Sequence, residues 1–440
     1  EDTVRVVEVI SGGPSSKVGV LPGDRIVGVN DSIIAGVGVV NSTVMNLLRG
    51  EKNSKVRVGV VRDGFDKNLE FEITRGDIPI FSVDVSYMID PETGFIKVSR
   101  FANKTYEEFM EGMEKVSNLG AKKVIVDLRQ NPGGSLTAVL QILNEFLDKG
   151  EPILYTEGVK QPRKTYNASG HNAWKNIQLY ILIDEFSASA SEIMAGAIQD
   201  SDRGIIIGRR SFGKGLVQEQ IPLMDGSALR LTVARFYTPS GRCIQSSYEN
   251  GTEEYYNKIY ERFHNMEQLH ADSIHFADSL KYETKSGRTV YGGGGIMPDF
   301  FVPADTTGNS EYFTKIYRKG LIYSFAYAYA DQHRDVLSAF TNADEIEKYL
   351  DGKNVLNEFV RYAAEKGVPR EEKGLKESGL IIGTQMKAYI ARNIIGEEGF
   401  YPIIKKVDKT LLQAIEITHK NLLVENITKP ESISDLPQLK

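Results

Sequence analysis

Cysteine is almost absent from this sequence: Cys243 is the single residue of its type among 440. One thiol excludes a disulfide within the chain and a zinc site built from several cysteines. Long apolar runs are missing too, because the longest, such as 179–183 and 204–207, are far shorter than the roughly 20 residues of a membrane-spanning helix. We therefore expect no membrane-spanning segment, while composition leaves the compartment open.

An excess of basic charge is also lacking, since 53 Lys and Arg face 59 Asp and Glu for a net charge of −6. No dense Lys/Arg cluster with interleaved aromatics is present, which argues against nucleic-acid binding. With 41% hydrophobic and 25% charged residues, the chain is typical of a soluble protein of two or three domains. It opens on Glu1-Asp2 instead of Met, so we expect an upstream segment, with any targeting signal, to have been removed.

The first 78 residues carry short β-type runs separated by Gly and Pro turns. The sequence predicts strands at Val4–Ile10, Arg25–Val29 and Lys55–Arg62, the last ending at Asp63-Gly64, and a helix near Ser42–Leu48. The segment GGPSSKVGVLPGDRIVGVND resembles a permuted PDZ domain of bacterial proteases. That resemblance implies a groove for a peptide C-terminus beside Val44 and Leu48. The strand and carboxylate loop that precede Val4 in this family are missing, so we expect an incomplete groove.

From 79 to 305 strands alternate with helices, the pattern of an α/β layer structure. The predicted strands are Phe95–Val98, Lys123–Leu128, Leu179–Ile183 and Ile205–Ile207, and the predicted helices are Tyr106–Asn118, Leu136–Leu147 and one ending near Ile198. A polar stretch at 246–287 is expected to be an insertion. Helical spacing of apolar residues then predicts an α-helical domain over 306–440, with a polar tail from Lys429. A functional site is expected where the strands turn into helices.

Several serines stand in the segment 184–192, DEFSASASE, at a predicted strand-to-helix turn. Amide groups in the first turn of a helix carry partial positive charge, so a hydroxyl there can be a nucleophile beside an oxyanion site. The alternative is structural, with Ser187 or Ser189 as N-cap and Glu192 completing a capping box. The motif alone favours the structural role.

A lysine between two glycines, Lys214 in SFGKG, follows 25 positions after Ser189. A lysine acts as a base only where its neutral form is accessible, and flanking glycines let its backbone approach another element closely. The alternative is a solvated loop lysine, because Lys is nearly always exposed. The segment lacks the upstream glycine and the Ser/Thr of a phosphate-binding loop.

A third motif, DLRQNPGG at 127–134, ends a predicted strand in a turn with two glycines. Exposed amide groups in such a turn could donate to an oxyanion. NPGG is also simply a good turn sequence, which is the simpler interpretation of the motif taken by itself.

In this order, DLRQNPGG, SASASEI and FGKGLVQ closely resemble the C-terminal processing, or tail-specific, proteases. The resemblance continues through 229–242 and 295–299 and spans about two thirds of the chain. It implies that Ser189 is the nucleophile and Lys214 its general base, with Gln218 orienting the lysine. A Ser-Lys dyad or Ser-Lys-Gln triad would then act through an acyl-enzyme.

The same resemblance implies that the backbone N–H of Ala190, together with that of Gly133 or Gly134, forms the oxyanion hole. Gly134 would also contact the substrate, and Asp200 would be structural. It further implies a crotonase-like, ClpP-related α/β core, a partial and mainly β PDZ domain, a helical C-terminal domain, and no metal or other cofactor. Substrates would be polypeptides with exposed C-termini, the location the bacterial periplasm or envelope, and a homo-oligomer or an adaptor is possible.

Other functional classes remain as alternatives. An inactive PDZ-type peptide-binding scaffold is disfavoured because Ser, Lys and Gln are all present at the matching positions. A crotonase-like acyl-CoA enzyme or a ligand carrier would leave the PDZ-like module and FGKG unexplained. A Ser-His-Asp enzyme is disfavoured because none of the six histidines lies in these motifs and no GxSxG elbow is present. The spacing of His264, His270 and His275 does not fit a zincin metal site, and an exposed polar insertion explains them better.

Overall fold

The computed structural model describes residues 3–6, 9–10, 12–62, 65–248, 251–274, 276–420 and 422. The predicted turn at Asp63-Gly64, His275, the tail from Lys429 and parts of the first predicted strand lie outside these residues. The chain divides into two compact units, Glu1–Ile80 with Thr306–Val407, and Phe81–Asp305 with Asp408–Lys440. This division differs from the expected one at the C-terminus, because the last segment belongs with the α/β core.

The N-terminal part of the first unit is built on one antiparallel sheet in the order β1-β2-β4-β5, with β3 paired to β2. Alternation explains its core: Val56, Val58 and Val60 of one strand are buried while the residues between them face outward. Its elements are β1 (Val4–Arg5), α1 (Pro14–Lys17), β2 (Arg25–Val29), β3 (Ser32–Ile33), α2 (Asn41–Leu48), β4 (Lys55–Val61) and β5 (Leu69–Thr74).

The second unit contains a six-stranded sheet in the order β17-β12-β11-β8-β7-β6. All neighbours pair in parallel except β6 and β7. Its strands are β6 (Val83–Asp90), β7 (Thr93–Val98), β8 (Lys123–Asp127), β11 (Gln178–Ile183), β12 (Gly204–Gly208) and β17 (Phe300–Phe301). Because β8, β11 and β12 are buried almost throughout, their β-branched apolar runs fit parallel strands covered on both faces.

Helices and a second sheet complete this α/β unit. The helices are α3 (Thr105–Asn118), α4 (Leu136–Asn144), α5 (Ala190–Asp200) and α6 (Thr252–His264). An antiparallel sheet in the order β10-β9-β14-β13 holds β9 (Pro152–Glu157), β10 (Lys164–Asn167), β13 (Leu216–Pro222) and β14 (Ala228–Tyr237), and β15 (Lys281–Glu283) pairs with β16 (Thr289–Tyr291). The expected insertion thus contains α6, short 3₁₀ turns and β15.

The predicted helical region is present after residue 306. Its helices are α7 (Glu311–Arg318), α8 (Leu321–Gln332), α9 (Arg334–Leu337), α10 (Ala343–Asp351), α11 (Val355–Glu365), α12 (Glu372–Ile395) and α13 (Glu397–Ile404). They pack around a core of their own that includes Phe359, Ile382 and Ile390. The helix that follows, α14 (Lys409–His419), belongs to the second unit. Within the described ranges, no helix is both long and apolar enough to cross a membrane.

Candidate active site

The parallel sheet brings the three sequence motifs to one edge. DLRQNPGG begins at the end of β8, DEFSASASE follows the end of β11, and SFGKG follows β12. These strands are neighbours in the order β12-β11-β8, with Leu182 opposite Asp127 and Ile183 opposite Gly208. Because carboxyl ends of parallel strands meet at the same edge of the sheet, segments far apart in sequence converge there.

One cavity of about 550 Å³ at this edge is lined by all the residues that the sequence assigned to catalysis and the oxyanion hole. Its wall also includes apolar side chains and, at β13 and β14, polar ones. The assigned residues are Gly133, Gly134, Ser189, Ala190, Lys214 and Gln218, and their neighbours include Leu136, Leu154, Ile193, Phe236, Gln220 and Arg230.

Ser189 has a strained backbone at the start of α5. Its φ of 55° and ψ of −111° lie outside the regions that residues with a side chain normally occupy. Such a conformation costs on the order of 1–3 kcal/mol and persists only where its surroundings enforce it. Here Ala188 N–H donates to the Asn131 carbonyl at 3.0 Å and Ser191 Oγ donates to the same oxygen at 2.9 Å, so the DLRQNPGG turn holds both sides of Ser189.

A buried carboxylate joins the serine segment to the lysine segment. Glu192 Oε2 accepts from the backbone N–H groups of Ser189 at 2.9 Å and Lys214 at 2.8 Å. Its Oε1 accepts from Gly213 N–H at 2.7 Å and from Ser211 Oγ at 2.5 Å. Burial raises the pKa of Glu192, although these donors act to lower it. The capping-box contact foreseen for Glu192 is therefore present, and the same carboxylate also positions the lysine loop.

Lys214 is half-buried in a loop that requires glycine on both sides. Gly213 has a φ of +92°, a conformation that favours glycine, and a Cβ at Gly215 would lie 2.9 Å from Gln245 N. The loop is fixed against the next segment because Gly215 N–H donates to Gln245 Oε1 at 2.8 Å. A larger residue at either position would strain this loop or force it to move.

The two glycines of DLRQNPGG have different hydrogen-bond states. Gly133 N–H donates to Asn131 Oδ1 at 2.9 Å, so it is already engaged. The Gly133 carbonyl accepts from Phe101 N–H at 3.0 Å. Since C=O and N–H are trans across the next peptide bond, Gly134 N–H points away from Phe101. Within the described part of the chain, no hydrogen bond is recorded for the N–H groups of Gly134 or Ala190.

Gly133 instead allows the turn to lie close to Ser189, because it has no side chain. A Cβ there would lie 2.5 Å from the Ala188 carbonyl oxygen, 2.7 Å from Ser189 Cβ and 2.8 Å from Ala190 N. A Cβ atom is essentially never found this close to an atom of a residue elsewhere in the chain. The φ of +94° at Gly133 adds a second reason for glycine.

The remaining predicted residues lie in different surroundings. Gln218 is exposed on β13 and borders the cavity. Asp200 is buried and accepts from Arg242 Nη2 at 2.7 Å, the structural role that was expected. In the first unit, Val44 is only 5% exposed and packs into the sheet core, whereas Leu48 lines a cavity of about 540 Å³. No metal-binding group of His, Cys, Asp and Glu occurs among the described residues.

Comparison with known proteins agrees with the motifs. Residues 92–254 match the sequence model of peptidase family S41, residues 1–73 that of a PDZ domain, and residues 312–396 a family of unknown function (DUF8443). The carboxy-terminal-processing protease of Bartonella bacilliformis is 38% identical over 247 residues, 55% of this chain and 56% of that protein. Carboxy-terminal processing protease CtpB of Bacillus subtilis is 33% identical over 241 residues, 54% of this chain and 50% of that protein.

Among solved structures, the photosystem II D1 C-terminal processing protease is 30% identical, with a TM-score of 0.35 over 55% of this chain and 65% of that chain. The chain spans about half the length of the curated relatives it matches. The resemblance stated from the motifs is confirmed: this chain carries a peptidase family S41 region preceded by a PDZ region.

Proposed function

We propose that this chain is a serine endopeptidase that cleaves polypeptides at or near their C-termini through a Ser-Lys mechanism. The observation that carries the proposal is the attachment of Ser189 and Lys214 to one buried carboxylate, beside one cavity, on a peptidase family S41 region. Strained backbone conformations cluster at functional sites, so the strained backbone of Ser189 at the start of α5 agrees with this role.

In the proposed reaction the neutral Lys214 amine accepts the Ser189 proton as Oγ attacks the substrate carbonyl. The N–H groups of Ala190 and Gly134 donate to the resulting oxyanion, and we assign Gly134 this role because Gly133 N–H is engaged by Asn131. The tetrahedral intermediate collapses to an ester on Ser189, and the leaving amine takes the proton from Lys214. Water, deprotonated by the same lysine, then hydrolyses the acyl-enzyme.

The cavity wall agrees with a peptide substrate. Leu136, Leu154 and Phe236 offer an apolar surface for a side chain next to the cleaved bond. We include in the proposal Gln218 as the residue that orients Lys214, PDZ capture of the substrate C-terminus, and a periplasmic or envelope location, all three from the resemblance. A homo-oligomer or an adaptor partner also belongs to the proposal, on the same ground.

The test is cleavage of casein by the purified chain, with products sized by mass spectrometry, across pH 6 to 10. Ser189→Ala and Lys214→Ala should abolish cleavage, and Lys214→Arg should as well, because a guanidinium is never deprotonated in proteins. Lys160→Ala, an exposed lysine away from the cavity, is the matched control and should cleave normally.

Two outcomes would overturn the proposal. Cleavage that survives Ser189→Ala belongs to another nucleophile or to a contaminant. A wild-type chain that binds peptide C-termini but cleaves neither casein nor peptides would instead be a binding scaffold. Comparing a peptide with a free C-terminus and its amide tests whether cleavage depends on the terminal carboxylate.

A further inference from the structure

The DLRQNPGG turn is attached to the C-terminal segment through Arg129 and Asp408. Asp408 Oδ1 accepts from Arg129 Nη1 at 2.8 Å, and its Oδ2 accepts from Arg129 Nη2 at 2.6 Å. The same guanidinium donates through Nε and Nη2 to Asp127, at 3.0 and 2.7 Å. Arg129 thus lies between two carboxylates and makes a two-point contact with each, a geometry that fixes position as well as charge.

This cluster is balanced in charge and poorly exposed. Lys97 Nζ lies 3.3 Å from Asp127 Oδ1 and donates to the Arg129 carbonyl oxygen at 2.5 Å. Two cations therefore face two carboxylates, and side-chain exposures are 2% for Asp127, 17% for Arg129 and 23% for Asp408. Removal of the Asp408 charge would leave one positive charge uncompensated in a partly dry site, which is costly.

The main chain of Arg129 is the start of the turn that reaches the cavity. Its N–H donates to Asp127 Oδ1 at 2.9 Å, and the next N–H, of Gln130, donates to Asp184 Oδ1 at 2.9 Å. Gln130 has a φ of +61°, a conformation that is uncommon for a residue with a side chain. Gly134 follows four residues later and lines the cavity.

We infer that Asp408 is a positioning residue for the active site: through Arg129 it holds the turn whose glycine N–H faces the oxyanion. Asp408 lies outside the three regions that match known families. It is the first residue of the segment that follows the helical domain and belongs with the α/β core. The protease core alone would lack this carboxylate, so the site is incomplete until the C-terminal segment is in place. The kinetic part of this inference rests on the proposed function.

Asp408→Asn changes the contact with Arg129 and keeps the other role of Asp408, which is to cap α14. Asp408 is also the N-cap of α14, accepting from Leu411 N–H at 3.0 Å, and Asn is an equally good cap. Its single oxygen can serve the cap, but its NH₂ group then faces a guanidinium donor. Glu416→Gln is the matched control, because it removes one charge from the same helix at an exposed pair with Lys420.

Asp408→Asn should lower kcat about 10- to 100-fold with KM changed less than threefold, since misplaced oxyanion donors act on the transition state. Amide hydrogen exchange in 128–134 should become at least about 10-fold faster, while α14 keeps its protection. Glu416→Gln should leave both unchanged. A kcat within twofold of the control, or unchanged exchange in the turn, overturns the inference. If the wild-type chain cleaves nothing, the exchange result alone decides the inference and the proposed function fails separately.

Discussion

The backbone N–H groups of Ser189 and Lys214 donate to the same oxygen atom, Oε2 of Glu192, at 2.9 and 2.8 Å. The proposed nucleophile and the proposed base are thereby held by a single buried side chain. The spacing of their backbones depends on this carboxylate, and not only on the sheet that carries the two loops.

Glu192→Gln should therefore reduce activity while leaving both proposed catalytic residues in the sequence. A carboxylate accepts from four donors here, whereas the amide turns one acceptor into an NH₂ group that faces N–H groups. Each unsatisfied buried donor costs about 1–3 kcal/mol. We expect kcat to fall about 100-fold and the melting temperature to fall as well, measured by peptide cleavage and calorimetry.

Glu185→Gln is the control for that experiment, because Glu185 lies between β11 and α5, pairs with Arg209, and loses the same charge when it is replaced. Its kcat should remain near wild type. Equal losses in the two variants would mean that charge in the loop, and not the attachment of Ser189 to Lys214, is what activity requires.

Gly133→Ala should inactivate the chain by steric conflict. The added methyl would lie 2.7 Å from Ser189 Cβ and 2.8 Å from Ala190 N, so the serine turn must move. Gly150→Ala is matched in backbone, with φ of +87° against +94°, but its methyl would meet no atom within 4 Å. We expect at least about 100-fold lower kcat/KM for Gly133→Ala. For Gly150→Ala we expect only the cost of positive φ, about 1–2 kcal/mol of unfolding free energy.

A comparable loss of activity in Gly150→Ala would refute this steric explanation. Normal cleavage by Gly133→Ala would show that the turn can retreat from the serine without consequence, and the close approach would then have no catalytic meaning.

Gln218→Ala tests the proposed orientation of the lysine. Gln218 and Gln220 both line the cavity from β13, two positions apart. If Gln218 holds Lys214 during the reaction, its loss should lower kcat about 10-fold with little change in KM, the signature of a contact made in the transition state. Gln220→Ala should act on KM, if at all. Steady-state kinetics on one peptide gives kcat and KM for both variants. If the two variants have the same kcat and KM, Gln218 has no role in orienting Lys214.

Asp127 gives the α/β unit a defined response to acid. Burial would raise its pKa, but Arg129 and Lys97 outweigh burial and lower the pKa from 3.8 to about 2. A carboxylate whose pKa is lower in the folded state than in the unfolded state stabilises the fold at pH values above its unfolded-state pKa. The contribution, about 2 kcal/mol, is lost as the pH falls from 3.8 towards 2.

Melting curves of the wild type and Asp127→Asn between pH 2 and 6 measure this contribution. The difference in melting temperature should narrow as the pH falls below 4. A difference that stays constant down to pH 2 would contradict a depressed pKa for Asp127.

Local patterns in the sequence predicted much of the α/β unit. In that unit β8 and β11 differ from the predicted bounds by one residue at one end, and β12 by one residue at each end. In the first unit, the strand at 25–29 has the predicted bounds. Apolar runs of this length can be recognised from the sequence alone. The convergence of three motifs was expected from the resemblance, and one cavity does contain Ser189, Lys214 and Gln218.

The contacts that hold the site could not be predicted, because they depend on side-chain directions and on distant partners. The capping-box spacing pointed to Glu192, but nothing in sequence indicated its contact with the lysine loop. The hydrogen bond from Gly133 N–H to Asn131 Oδ1 depends on the rotamer of Asn131, which the sequence does not reveal. Asp408 and Arg129 are 279 positions apart, and no local pattern relates them.

The parallel pairing of β8, β11 and β12 also governs when a site can exist during folding. Pairing between distant strands forms late, because the chain must close long loops before these contacts repay the entropy. A chain in which these strands have not yet paired therefore holds Ser189 and Lys214 on separate loops. If Ser189 and Lys214 act as proposed, reactivity arises only as the sheet closes, and a chain that stalls before that step does not attack its unfolded neighbours.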